Sequence, residues 1–488
     1  MKAKFTELPP TSVSRRDFIL SGLAASFVAG CRTMDLFGRP SLAFGVVSDI
    51  HVTTRGTEAR YEKALRLFKS RGTDAVMVCG DIADWGTVNS WEHVRDAWRR
   101  VFGGTDVVPL LCTGNHDFEG WWYGDMTMDM HASGHSEDEA VVKAPGGVKA
   151  EWEKIFGEEY APMRIRTVKG YDFVSAEYAV EDDGKRRPDV AGFLEASGRR
   201  LRDSGKPFFY FQHLPIRGTT GDSGRKTDGD SAFSGLKNFP NAVAFTGHTH
   251  CPFVDERQIW QGEFTAIGTP SLSYPGLPGH ENGSAKRDGS ATNAMPMIPV
   301  RRDLEGTQGF FVNVYEDRIV VIVVERIDIE ADGAEAAPAW IIPFTGAKPF
   351  VPAEVEKRVP VPAFPEGAAV RCSMRNTENR QGKWTIVMMC DFPSAVVPEG
   401  WRVFDYEIRA VPKDGSAPLV KSFYSPAYHK LASCEPVRQR FWFDVAELPQ
   451  DKDYVIEVRA RNCFGRASEP ITAGRVFHGR PGLGKVLR

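Results

Sequence analysis

Five short clusters along the chain carry side chains that bind metal ions or move protons. They are Asp49-Ile50-His51, Gly80-Asp81-Ile82-Ala83-Asp84, Gly114-Asn115-His116-Asp117, His213, and Gly247-His248-Thr249-His250. Carboxylate, amide and imidazole donors together suit borderline divalent ions such as Mn, Fe, Zn or Co. The clusters hold no thiolate, which disfavours a closed structural zinc site. His248 and His250 are two residues apart, and on a strand such residues share a face. Spacing alone leaves open whether they share one ion, serve two, or fill a polar rim. Singly, each cluster has a structural explanation: a turn at Asp49, an Asx turn at Asn115, a hydrogen-bonded core histidine at His213. Their joint occurrence, in order and each behind an apolar run, argues against those explanations.

The apolar runs supply the positioning. LAFGVVS precedes Asp49, DAVMVC precedes Gly80, VVPLLCT precedes Gly114, PFFYFQ precedes His213 and AVAFT precedes Gly247. Short, continuously apolar runs read as strands buried on both faces. Between the first of them, EARYEKALRLFKSRG places Tyr61, Ala64, Leu65 and Phe68 on one helical face, and SWEHVRDAWRRVF reads as a helix capped at Ser90. The alternation predicts an α/β domain with a layered sheet. FTAIG, GFFVNVYE and RIVVIVVERI add consecutive strands, so the sheet is expected to be mixed. In open α/β sheets ligands bind beyond the carboxyl ends of strands, so the five clusters should converge on one site.

The series Asp-x-His, Gly-Asp-x-x-Asp, Gly-Asn-His-Asp, His, Gly-His-x-His resembles that of the calcineurin-like metallophosphoesterases, most of all their bacterial phosphodiesterase-type members. The resemblance covers about residues 42–330 and implies an αββα-type fold of layered mixed sheets. It implies one ion held by Asp49, His51, Asp81 and His250, and a second held by Asp81, Asn115, His213 and His248, with Asp81 bridging. It implies hydrolysis of phosphate esters, diesters slightly ahead of monoesters, by a metal-bridging hydroxide whose parent water has its pKa lowered toward about 7. His116 resembles the family's non-ligand histidine, which gives a proton to the leaving oxygen or stabilises charge there. Asp117 would orient His116 by accepting from its other ring nitrogen. Asp84 stands where purple acid phosphatases carry a metal-binding tyrosine, which disfavours the purple subgroup and makes Asp84 a supporting residue behind the ligands. The substrate expected is a phosphate-ester small molecule, or a lipid- or nucleotide-type one. A competing reading is a catalytically weak metal-binding protein that recognises glycan or protein through a C-terminal β-sandwich.

Outside the site, a net charge of -3 argues against general nucleic-acid binding by charge. Arg15-Arg16 followed by an apolar stretch from Phe18 to Gly30 and Cys31 reads as a twin-arginine export signal with a lipobox over residues 1–31. The expectation is an exported protein, periplasmic or at the cell surface, held to a membrane by lipid on Cys31. Two insertions, after Asp117 and from Tyr274 to Arg302, are long enough to roof a cleft. In the first, Trp121, Trp122 and Tyr123 read equally as a ring-stacking lid or a hydrophobic anchor, while His131 and His135 read as exposed loop residues. Residues 331–365 are rich in Ala and Pro and read as a linker. KWTIVMMCDF, VFDYEIRAV, RFWFDVAEL and DYVIEVRARNCFG then predict an all-β sandwich over residues 366–478, weakly resembling a fibronectin type III domain. Cys79 and Cys112 read as buried thiols. Cys372, Cys390, Cys434 and Cys463 could pair in an oxidising compartment, with three connectivities open.

Overall fold

The computed structural model describes residues 38–53, 56–118, 147–182, 184–221, 223, 231–274, 307–325, 334–335, 339–378, 384–429 and 436–479. The export signal with Cys31, the insertion residues Trp121, Trp122, Tyr123, His131 and His135, the second insertion past Tyr274, and Cys434 lie outside them.

The chain opens with β1 (Leu42–Val47), α1 (Ala59–Ser70), β2 (Ala75–Cys79), α2 (Val88–Phe102) and β3 (Val108–Cys112). These three strands pair in parallel with β2 in the middle. Then come α3 (Gly147–Phe156), β4 (Met163–Val168), β5 (Tyr171–Ala176), α4 (Val190–Asp203) and β6 (Phe208–Gln212). They are followed by α5 (Ser231–Leu236), β7 (Ala242–Thr246), β8 (Ile259–Gln261) and β9 (Thr265–Gly268). Their strands form a second sheet in the order β4-β5-β6-β7-β9-β8, parallel from β5 to β9 with antiparallel edges. β10 (Gln308–Val314) and β11 (Arg318–Glu325) return to the first sheet, β10 antiparallel to β1 and β11 antiparallel to β10.

Every residue of β1, β2, β6 and β7 is buried, as strands covered on both faces require. The two sheets face each other through aromatic packing. Phe44 on β1 meets Phe173, Phe209 and Phe245 of the second sheet, ring centroids 5.2, 4.8 and 6.1 Å away. Outside, Phe68 of α1 stacks on Phe311 of β10. On the opposite flank Leu194, Leu201 and Leu236 cover Tyr210 and Ala244. The layers run helix, sheet, sheet, helix, and the mixed α/β architecture expected from the sequence is present.

Two local readings need correction. Thr87, not Ser90, caps α2: its hydroxyl accepts from the Ser90 amide at 3.3 Å, and Val88-Asn89-Ser90 form the first turn ahead of the apolar period. Residues 331–365 are no bare linker. They hold β12 (Ala334–Glu335) and β13 (Trp340–Pro343), both antiparallel to β11, and α6 (Pro352–Arg358). The triplet Trp340-Ile341-Ile342 was hidden among prolines, and Pro352 sits at the helix start, where no amide proton is needed.

The remaining chain is all β. β14 (Arg371–Glu378) and β15 (Trp384–Pro393) are followed by β16 (Asp405–Pro412), β17 (Leu419–Tyr424) and the short α7 (Pro426–His429). β18 (Arg438–Asp444), β19 (Asp453–Arg461), β20 (Ile471–Thr472) and β21 (Phe477–His478) complete it. One sheet runs β14-β15-β18; the other runs β17-β16-β19-β20, with β21 also on β19. The two sheets share a core that includes Phe392, Tyr406, Ile408, Phe441 and Val458. Phe404, Tyr424, Tyr428 and Cys463 instead join the buried cluster of the first domain, beside Phe253 and Ile259. Phe404 lies under the Arg257 guanidinium and edge-on to Tyr428 at 4.6 Å. Phe404→Ala should therefore cost about 3–5 kcal/mol and split one melting transition into two, one for each domain. Calorimetry showing an unchanged single transition would count against a shared core.

Candidate metal centre

All five clusters sit at carboxyl ends of parallel strands. Asp49 and His51 follow β1, Asp81 and Asp84 follow β2, and Asn115, His116 and Asp117 follow β3. His213 follows β6, while His248 and His250 follow β7. Seven described non-glycine residues have left-handed backbone, and five of them are Asp49, His51, Asp81, His248 and His250, with φ between 46° and 68°. Such conformations cost about 1–3 kcal/mol each and persist where surrounding structure imposes them. Here backbone bonds between the β1 and β2 loops do so: the Asp49 amide donates to Gly80 O and the His51 amide to Asp81 O, both at 3.1 Å.

The expected ligands gather in two groups with one member in common, and His51 also meets Asp84 and His116 in a third cluster. Asp49, His51, Asp81 and His250 form one, and Asp81, His213 and His248 form the other, with ligand atoms of each within 4.8 Å of one another. Asn115 adds its carbonyl oxygen to the second group, 3.1 Å from His213 Nε2. His248 and His250 thus face different groups. They lie beyond the strand in left-handed turns, so the same-face rule for strands does not govern them. Gly247 is also needed for a different reason than a tight turn. A Cβ there would lie 2.0 Å from Ser48 Oγ and 2.7 Å from Asp49 Oδ2, so its lack of side chain lets the β7 loop touch the β1 loop. Across that contact the His248 amide donates to the Asp49 carboxylate at 3.1 Å.

Hydrogen bonds fix which ring nitrogen faces inward. His213 Nδ1 is 2.9 Å from Cys79 O, and His250 Nδ1 is 3.0 Å from Tyr274 O. A carbonyl only accepts, so both Nδ1 atoms carry protons and leave the Nε2 lone pair to bind a metal ion. His51 Nδ1 lies 3.0 Å from Asp84 Oδ1, without the alignment of a hydrogen bond. Asp84 accordingly stands behind His51. His116 is held differently from the expectation. Its Nδ1 donates to Asp84 O at 2.9 Å, not to Asp117. The Asp117 carboxylate is taken up by the amides of Ile82, Ala83 and Gly114 and by Trp91 Nε1, at 2.8 to 3.1 Å. Asp117 therefore shapes the turn that presents Asn115 and His116.

The charges show why a cation belongs here. Asp49 and Asp81 are buried, and burial alone would raise their pKa values. The facing histidines overcome it: His250 brings Asp49 down to about 2, and His213 and His116 hold Asp81 well below the usual carboxylate range. Burial disfavours charge on His213 too, but Asp81 and Asp49 raise it to about 9. His248, desolvated and beside His213, falls to about 3. Asp117 is pushed up to about 6 by burial and by Asp81, against its four donors. Ring nitrogens aimed at each other, His51 Nε2 and His250 Nε2 at 3.3 Å and His213 Nε2 and His248 Nδ1 at 3.2 Å, converge on oxygens of buried carboxylates. This donor set fits two divalent ions, with Asp81 shared.

Several contributors escaped the sequence. The Tyr274 ring packs against His250 at 4.3 Å and against His51 at 5.5 Å, in addition to its carbonyl. Glu177, behind β5, accepts from the amide and hydroxyl of Thr113 at 2.7 and 2.8 Å and pairs with Arg164, anchoring the turn before Gly114. Its signal was there: YDFVSAE is one more apolar run ending in a carboxylate. Arg217, close to His213 in sequence, is exposed.

Two outcomes follow from this geometry. Asp81→Ala should empty both groups, His250→Ala only one, and His116→Ala neither, as counted by elemental mass spectrometry. Metal must displace a proton from His213 below about pH 9, so affinity should fall as pH falls. Calorimetry at pH 7 in buffers of different ionisation heat should register that proton; equal heats would exclude it.

No curated protein matches the chain. Among solved structures it is similar to GAP50, the anchor in the inner membrane complex of Plasmodium, at 12% identity over 65% of this chain and 93% of that one, TM-score 0.34. It is also similar to the purple acid phosphatase PPD1 from seeds of yellow lupin, Lupinus luteus, at 10% identity over 63% and 55%, TM-score 0.35. The stretch that holds all the proposed ligands, residues 42–252, matches the family model for calcineurin-like phosphoesterases.

Proposed function

We propose that residues 42–330 hydrolyse phosphate esters, diesters in preference to monoesters, with two divalent ions as cofactors. The observation that carries this reading is a pair of ligand groups sharing buried Asp81, with His116 at their edge. Ions bound there supply Lewis acidity to phosphoryl oxygens and acidify water at neutral pH. The chain's own residues do the rest. Asp49, His51 and His250 hold one side, and Asn115, His213 and His248 the other. The His116 side chain is 28% exposed where Asp49, His51, Asp81, His213 and His250 are buried, which opens it to substrate. Asp84 O holds its Nδ1 proton, which leaves Nε2 to carry and release a proton to the departing oxygen. Asp117 keeps the turn bearing His116 in place.

The preference for diesters rests on the likeness of the Gly-Asp-x-x-Asp and Gly-Asn-His-Asp clusters to phosphodiesterase-type members. Mn-loaded protein should hydrolyse bis(p-nitrophenyl) phosphate faster than p-nitrophenyl phosphate. His116→Ala should lower that rate about 10²–10⁴-fold with metal retained. No activity with any divalent ion, or full activity in Asp81→Ala, would sink the hydrolase reading.

The fibronectin type III likeness of residues 366–478 is supported by two facing antiparallel sheets, β14-β15-β18 and β17-β16-β19-β20 with β21 also on β19. Export and lipid anchoring rest on Arg15-Arg16, the Phe18 to Gly30 stretch and Cys31. Cys31→Ser should move the protein from the membrane fraction to the soluble one; a distribution identical to the parent's would refute the anchor.

A further inference from the structure

The sandwich holds a pair of thiols that the phosphoesterase chemistry does not use. Cys372 on β14 and Cys390 on β15 are direct partners in the antiparallel register, and their sulfurs are 3.7 Å apart. Directly opposed residues point to the same face, with Cα atoms about 4.5 or 5.5 Å apart. Both spacings fall inside the roughly 4.4–6.8 Å range of disulfides, so side-chain rotation alone can close the sulfurs to about 2.05 Å.

Cys79 and Cys112 make the contrast. They too are register partners, in the parallel β2–β3 pair. Their thiols turn elsewhere, Cys112 Sγ to Val78 O and Cys79 Sγ to Thr269 Oγ1, and both are fully buried. Cys463 Sγ is likewise occupied, donating to Glu256 Oε2 at 3.0 Å. Among the described residues, Cys372 and Cys390 are the thiols that face each other.

Access to the pair is one-sided. Cys390 is buried, while Cys372 is half-exposed on β14, the edge of its sheet. Beside Cys372 opens a cavity of about 210 Å³ lined by Met374, Met388, Arg475, Val476 and Phe477. Arg475 donates to Cys372 O at 2.8 Å and lies over the Phe477 ring, placing a cation at the mouth. The Cys390 thiol, and to a smaller extent the Arg475 charge, favour the Cys372 thiolate against partial burial, lowering that pKa.

We propose that Cys372 and Cys390 are a disulfide-forming site, oxidised by exchange with a small anionic disulfide that enters at Cys372. The Cys372 thiolate attacks one sulfur of the oxidant R–S–S–R, breaking its S–S bond; the departing thiolate takes up the proton Cys372 gave. Cys390 then loses its proton and attacks Cys372 Sγ of the mixed disulfide, releasing the second thiolate as R–SH. The balance is two protein thiols and one disulfide giving one protein disulfide and two small thiols. The product ties edge strand β14 to β15.

The test uses the full chain, purified reduced, freed of reductant and incubated with oxidised glutathione. Non-reducing peptide mapping should show one cross-link, Cys372 to Cys390, with loss of two hydrogens and release of reduced glutathione. Cys79 and Cys112 should remain thiols. Cys390→Ser should stop at a glutathione adduct on Cys372, and Cys372→Ser should leave Cys390 unmodified. A folded wild-type chain without the cross-link, or Cys372 joined to Cys434, would overturn the proposal. No phosphoesterase activity is read, so this outcome and that of the hydrolase reading are independent.

Discussion

The Asp81 carboxylate is the constraint on which the site depends. It is buried, with Oδ2 3.1 Å from His213 Nε2 and 3.8 Å from His51 Nε2, while Oδ1 accepts from the His116 amide. Holding a carboxylate out of water costs several kcal/mol unless opposite charge and donors surround it. Those partners come from both sheets: His51, Asn115 and His116 from the first, His213 and His248 from the second. Neither sheet could compose the site alone. The packing of Phe44 against Phe173, Phe209 and Phe245 sets how the strand ends of one sheet meet those of the other.

The same constraint explains the backbone strain. Five of the candidate ligands are left-handed because short loops must bring acidic and imidazole groups back over strand ends. A relaxed turn would carry the side chains into solvent. Gly114 shows how little room is left: a Cβ there would come within 2.1 Å of Asp81 Oδ1.

The parts legible in the sequence were those with a local pattern. Strands buried on both faces read as continuous apolar runs, and a polar cluster at the end of each marked the site. The division of His248 and His250 between two groups became legible only through the family resemblance, because their left-handed turns leave no trace in spacing. What stayed hidden depends on partners distant in sequence. Nothing near Asp117 indicates that Trp91 and three amides would take its oxygens, or that Asp84 would hold His116 through its carbonyl rather than its carboxylate. The stretch around β13 was misread because composition averaged its apolar triplet with surrounding prolines. The pairing of Cys372 with Cys390 needed the register of β14 on β15, which composition does not set.

The C-terminal sheets are tied into the site by the segment that follows His250. Cys251 and Phe253 are buried, and the Phe253 amide donates to Gln308 Oε1 on β10. Asp255 accepts from the Arg257 side chain and from Tyr428 Oη at 3.1 Å, and Glu256 accepts from Cys463. Arg402 pairs with Glu325 at the end of β11, 2.7 Å away, with both side chains buried. Each of these groups is desolvated, so parting the two domains would leave polar atoms unpaired on both sides. The residues from Cys251 to Arg257 therefore have one end at a metal ligand and the other in the interface. Treating the all-β part as a tethered passenger, as a linker reading of residues 331–365 implies, conflicts with that continuity. The interface sets where the chain leaves His250, and so helps hold its left-handed turn against Tyr274 O.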